Sequence, residues 1–103
     1  MRFMLTFRMP MEQGNAVITG GTLPSIMQSV IEDLKPEAAY FGEVDGARGG
    51  YLVVNMDNAA QLPALTEPLF LSVGATVKTI PVMTPEDLMQ AGPAIEQAVQ
   101  KYG

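Results

Sequence analysis

Six side chains of this sequence combine a reactive or charged group with a position where a ligand could meet it: Arg8, Tyr40, Glu43, Asn55, Glu67 and Thr76. Arg8 offers a planar fork of donors suited to a carboxylate, an enolate or a carbonyl oxygen. Its other reading is a charge pairing with an acid across an interface. Tyr40 can donate a hydrogen bond or act as a weak general acid, or it can be an amphipathic core residue. Glu43 and Glu67 are the candidate bases. Glu67 stands between Thr66 and Pro68, where a helix kink would bury a carboxylate and raise its pKa. The alternative for both acids is a solvated surface position or a cap. Met4, Thr6, Asn55 and Met56 are the expected ligand contacts, with Met9 and Met11 completing a methionine lining unless they are core filler. Arg48 falls in a turn at the other end of the sheet and is expected in solvent.

Composition removes many chemistries. The chain has no histidine and no cysteine. Histidine-ligated zinc or haem, a histidine base, thiolate nucleophiles, iron–sulfur clusters and disulfides are therefore not expected. Glu32, Asp33, Asp45 and Asp57 lack the spacing of a calcium loop, so no metal and no cofactor is expected. A net charge of −5, with six basic residues scattered singly, gives no footprint for nucleic acid. The first residues, Met1 to Arg8, are interrupted by charge, and no apolar run reaches the roughly 18–20 residues of a membrane span. A cytoplasmic location is the expectation, in keeping with the absence of cysteine.

The elements that must position these residues are legible from periodicity. Residues 2–9 alternate, with Phe3, Leu5, Phe7 and Met9 on one side and Arg2, Met4, Thr6 and Arg8 on the other, which predicts a strand ended by Pro10. The stretch 11–22 reads as loosely helical at best, because Gly14, Gly20 and Gly21 punctuate it. Leu23, Ile26, Met27, Val30, Ile31 and Leu34 form an apolar stripe and predict a helix, capped at Thr22 or Leu23 and stopped at Lys35-Pro36. Residues 38–44 and 50–55 predict a hairpin joined around Asp45-Gly46-Ala47-Arg48. Its glycines are turn geometry rather than a phosphate loop, since no Gly-Lys-Ser/Thr follows. Asp57 or Asn58 caps a second helical region, which Pro63 and Pro68 should break into two short pieces closed by Gly74. A last strand over 75–83 follows. Residues 83–103 form a C-terminal helical extension, with Thr84-Pro85-Glu86-Asp87 as its start and a break at Gly92-Pro93.

At 103 residues this is one domain. Its order, βαββαβ plus a C-terminal helix, predicts an α+β fold of the ferredoxin-like kind. That fold is a four-stranded antiparallel sheet with helices on one face and the first and third strands adjacent in the middle. Taking those two strands to run the same way brings Arg8, Tyr40, Asn55, Met56 and Thr76 to one end of the sheet. The bare face needs a cover, and a second copy would supply it through a two-fold axis. The stripe Leu88, Ala91, Ile95, Ala98 or Val99, and Tyr102 must also lie on something, either its own sheet or the partner.

The order, the length and the open face resemble the dimeric α+β barrel superfamily. That group includes muconolactone isomerase, cofactor-free monooxygenases of polyketide pathways and chlorite dismutase-like haem enzymes. Phe7-Arg8-Met9-Pro10 with Gly14-Asn15, the run Asp33-Leu34-Lys35-Pro36-Glu37-Ala38-Ala39-Tyr40-Phe41, Glu67-Pro68-Leu69-Phe70-Leu71 and Pro81-Val82-Met83 are similar to an uncharacterised bacterial family within it. Pro68-Leu69-Phe70 before the last strand is faintly similar to muconolactone isomerase. The resemblance implies a homodimer with a small-molecule cleft between sheet and helices. Without histidine the haem branch does not fit, and without histidine or tryptophan the monooxygenase residue sets are incomplete. Two functions remain open. One is metal-free isomerisation or proton transfer on a carbonyl or carboxylate compound, and the other is a non-catalytic dimeric module for ligand binding or interaction.

Overall fold

The computed structural model describes all 103 residues. Strand β1 (Arg2–Arg8) keeps the predicted alternation: Leu5 and Phe7 are buried, while Arg2, Met4, Thr6 and Arg8 lie on the opposite face. Pro10 ends the strand and also stands at the N-cap of a regular helix, α1 (Met11–Thr19). The loose stretch expected there is thus a helix. Gly20 and Gly21 (φ 73°) do close it, but Gly14 is a buried packing position inside it.

Helix α2 (Leu23–Leu34) has the predicted span, with Pro24 in its first turn and Lys35 closing it at φ 46°. Thr22 holds the N-cap position without a side-chain cap bond. β2 (Ala38–Val44) and β3 (Ala47–Asn55) form the hairpin. Its turn is tighter than predicted, because Asp45 and Gly46 both take positive φ, 50° and 80°. A two-residue loop of that kind matches the twist of the flanking strands.

Asn58 caps a 3₁₀ turn, Ala59–Gln61, accepting from the Ala60 N–H at 3.0 Å. The turn runs into one continuous helix, α3 (Leu62–Val73), instead of two pieces. Pro63 sits in the first turn, where its missing donor costs nothing, and only Pro68 is internal. Gly74 closes α3 at φ 63°, and β4 (Thr76–Pro81) follows. Thr84 and Asp87 form a capping box for α4 (Pro85–Gln90). The chain breaks at Ala91 and continues as α5 (Gly92–Tyr102), with Pro93 in its first turn.

The result is an α+β domain of five helices and a four-stranded sheet in the order β2-β3-β1-β4. All neighbouring strands are antiparallel, including β1 and β3. This corrects the shared direction expected for the first and third strands. The helical crossover sends β2 back along the direction of β1, and the hairpin then returns β3 between them in the opposite sense.

Helices α2 and α3 cover one face. Val30, Leu34, Leu65, Leu69 and Val73 pack there against Leu5, Phe7, Leu52 and Val54. Burying each such side chain contributes about 1.5–3 kcal/mol. The other face carries Met4, Tyr40, Tyr51, Val53 and Ile80, with Tyr40 69% and Ile80 49% exposed. Helices α4 and α5 project from the body and contain no buried residue. The chain extends 58 Å along its long axis against 26 and 21 Å across, and no helix is long and apolar enough to cross a membrane.

β1 can approach β3 closely because position 49 has no side chain. A Cβ at Gly49 would collide with the Phe7 carbonyl oxygen and lie 2.9 Å from Val44 Cγ2. Its partner across the hairpin, Gly42, has nothing within 4 Å of the equivalent point. Gly49→Ala is therefore expected to destabilise by about 3 kcal/mol or more, and Gly42→Ala by no more than about 0.5 kcal/mol. Urea unfolding followed by circular dichroism measures both.

Candidate functional site

The antiparallel pairing separates residues that a parallel reading had gathered. Arg8 pairs with Gly49 and Thr76 at one end of the sheet, whereas Asn55 pairs with Arg2 at the other. Asn55 Nδ2 donates to Glu37 Oε1 at 3.3 Å, and Arg2 Nε donates to the same oxygen at 2.7 Å. This small polar cluster stands at the far end of the sheet, at the edge of a concavity of about 570 Å³. Met56 is buried in the core beyond it, so it lies neither beside Arg8 nor in a cleft. Tyr40 faces Tyr51 across the middle of the open face. Glu67 is exposed on α3, in the helical layer on the opposite side of the sheet from Arg8 and Tyr40. No kink buries it, because α3 runs through Pro68 unbroken. Of the expected set, Thr6, Arg8 and Thr76 are brought together, and Met4 shares their face.

The most apolar concavity lies on the other side of the sheet. A cleft of about 550 Å³ opens between the β2–β3 hairpin and the start of α2. Its walls are Phe7, Met9, Leu23, Pro24, Met27 and Phe41. Phe7 and Phe41 meet edge to face, 6.4 Å between centroids at 74°, the geometry favoured by aromatic quadrupoles. Both rings lean over Gly50, where a Cβ would stand 2.8 Å from Phe7 Cε1 and 3.1 Å from Phe41 Cδ1. The missing side chain is what lets the pair line the floor. Of the expected methionine lining, Met9 is present here and Met4, on the open face, is not.

Two charged side chains complete the cleft. Glu43 and Arg48 face each other across β2 and β3, and both reach its lining. They form no ion pair; the chain's single ion pair is Arg2–Glu37. Arg48 is instead held from the helical side. Its Nη1 donates to Asn15 Oδ1 at 2.9 Å and contacts Met11 Sδ at 3.9 Å. The same nitrogen lies 3.1 Å from the point where a Cβ on Gly14 would stand. Arg48 is thus half-buried and fixed against α1, not free in a turn as expected. The signal was present in the sequence: Met11, Gly14 and Asn15 are spaced i, i+3, i+4 and share a face once residues 11–19 are helical. No cluster of three or more acids converges anywhere to form a metal cage.

A held guanidinium at an apolar cleft can orient a ligand that carries a negative oxygen, with the apolar walls taking up the rest of the molecule. Glu43, opposite, can accept a proton from such a ligand.

Fold and site together define an α+β domain with a hydrophobic cleft between sheet and helices and a positioned arginine at its wall. Residues 1–96 match the model of a domain family of unknown function (DUF3303), nearly the whole chain, and the protein belongs to that family. No curated protein and no solved structure gives a match.

Replacing Asn15 with Ala removes the acceptor that holds Arg48. The expected loss of stability is small, about 1 kcal/mol. The diagnostic change is in NMR spectra, where the Arg48 guanidinium protons should exchange faster with water than in the parent protein.

Proposed function

We propose that the protein binds a compact, mostly apolar carbonyl or carboxylate compound in the cleft and transfers a proton on it with side chains alone. The observation that carries this reading is Arg48, fixed by Asn15 at the wall of an apolar cavity and in ion-pair contact with no carboxylate. A charge held in place before the ligand arrives stabilises developing negative charge without reorganising. Glu43 is the base in this scheme. In it Arg48 has the charge-stabilising part that the sequence suggested for Arg8, and Glu43 replaces Glu67, which lies outside the cleft.

The same reading includes a homodimer of ferredoxin-like, α+β barrel type. Support comes from the uncovered face around Met4, Tyr40, Val53 and Ile80 and from the apolar stripe of Ile95, Val99 and Tyr102 on the projecting arm. A second copy offers each surface its complement.

Native mass spectrometry should show a dimer, and a monomer would remove that part of the reading. For the cleft, cinnamate and its neutral amide serve as probes. Cinnamate should bind saturably and about tenfold tighter than the amide, and Arg48→Gln should erase that difference. Deuterium exchange of the α-protons of a small keto acid, followed by NMR, tests the chemistry. The protein should accelerate it, and Glu43→Gln should abolish the acceleration while leaving binding intact. Binding without exchange would make the protein a ligand-binding module instead.

A further inference from the structure

The open face holds a second, chemically different concavity at the Arg8 end. It measures about 260 Å³, with Val44 and Ile80 as its apolar walls. Its polar lining is Thr6, Arg8, Asp45, Tyr51, Thr76 and Lys78. The register explains the gathering: Thr6 sits between Tyr51 and Lys78, and Arg8 sits between Gly49 and Thr76. Arg8 and Lys78 are therefore diagonal neighbours on one face of an antiparallel pair, about 7–8 Å apart by strand geometry.

Two cations at that spacing repel unless something neutralises them. Nothing in the chain does. Neither forms an ion pair, although the protein as a whole is strongly acidic. Asp45, at the hairpin tip, lines the cavity without reaching either cation. Arg8 Nε is buried with no hydrogen-bond partner, the one buried side-chain polar atom in the protein left so. A buried orphan donor on a charged group calls for an acceptor. The hydroxyls of Thr6 and Thr76 have no protein partner either, and Tyr51 reaches only the Glu43 carbonyl, at 3.3 Å.

The lining is thus rich in donors and short of acceptors, and it carries an excess of one positive charge. A carboxylate offers two oxygens to such a set. A phosphoryl group offers three or four acceptor oxygens and one to two negative charges, and so engages more of the free donors than a carboxylate does. We infer that the Arg8–Lys78 cavity is a binding site for a phosphoryl group, as the free ion or as a small phosphate ester. Arg8 supplies the forked donors, Lys78 the second charge, and the two threonines the remaining hydrogen bonds. The site is separated from the apolar cleft by the thickness of the sheet and is independent of the reaction assigned there.

Isothermal titration of the intact protein with inorganic phosphate at low ionic strength tests the site, with chloride at matched ionic strength as the blank. One saturable site is expected, with Kd at or below about 1 mM. Arg8→Gln should weaken it at least tenfold. Lys78→Gln, a change at an exposed edge-strand position that the fold tolerates, should weaken it several-fold. Cinnamate binding to the cleft should be unchanged by Lys78→Gln, so failure of one site does not mimic failure of the other. Glycerol phosphate titrated in parallel distinguishes the sources: tighter binding than inorganic phosphate identifies an ester, and equal or weaker binding the free ion. The assignment is overturned if phosphate shows no saturation beyond chloride, if acetate binds as tightly as phosphate, or if both variants bind phosphate like the parent. It also falls if Arg8→Gln only changes the oligomeric state, which would make Arg8 an interface residue.

Discussion

Two adjacent residues without side chains, Gly49 and Gly50, set the conditions for everything else in this molecule. Successive strand positions point to opposite faces, so this pair removes one side chain from each side of the sheet at the same level. On the helical side the gap at Gly50 is filled by the edges of Phe7 and Phe41, which thereby form the floor of the apolar cleft. On the open side the gap at Gly49 is taken up by Val44, which is also a wall of the polar cavity. The contact of the Phe7 carbonyl with β3 at this point is too close for any Cβ.

The two faces have opposite characters for the same reason that the core is one-sided. Leu5, Phe7, Leu52 and Val54 spend the inward positions of the central strands on packing against α2 and α3. Charged and hydroxyl-bearing residues are left for the outward positions, where Arg2, Thr6, Arg8 and Lys78 are found. Arg2 finds Glu37 and Asn55, and that end of the sheet is electrically closed. The Arg8 end is not. The asymmetry lies along the strand as well as across it: the arginine at one end is paired and the arginine at the other is not.

Much of the architecture was legible because local signals agreed with the final packing. The stripe from Leu23 to Leu34, the Asp45-Gly46 turn and the Thr84 cap each involve residues within one turn or one helix face, and they form as read. What misled was any feature whose meaning depends on distant partners. Gly14 reads as a helix breaker, yet it is the position that lets Arg48 reach Asn15. With residues 11–22 read as loosely helical at best, nothing in the sequence pattern holds Arg48 and it reads as solvent-exposed. Pro63 and Pro68 look equivalent in the sequence, but a helix start tolerates the first, and only one internal proline has to be accommodated. The relative direction of β1 and β3 follows from the element order, a helical crossover and then a hairpin; taking them as parallel gathers Asn55 and Met56 beside Arg8, and the antiparallel pairing removes them. Arg8 and its neighbour Thr76 are legible in the sequence; Lys78 and Asp45, which share their cavity, are not.

The projecting arm has a different consequence. Its helices bury nothing, so their amides are protected only by their own hydrogen bonds, whereas those of β1 and β3 are protected by the whole core. Two tiers of opening free energy are expected from that difference in burial, and hydrogen exchange would resolve them. An isolated helix of eleven residues is marginal in water. Whatever surface receives the arm must therefore supply the free energy that keeps it helical, and occupancy of that surface would be read out as helix content at the chain's far end.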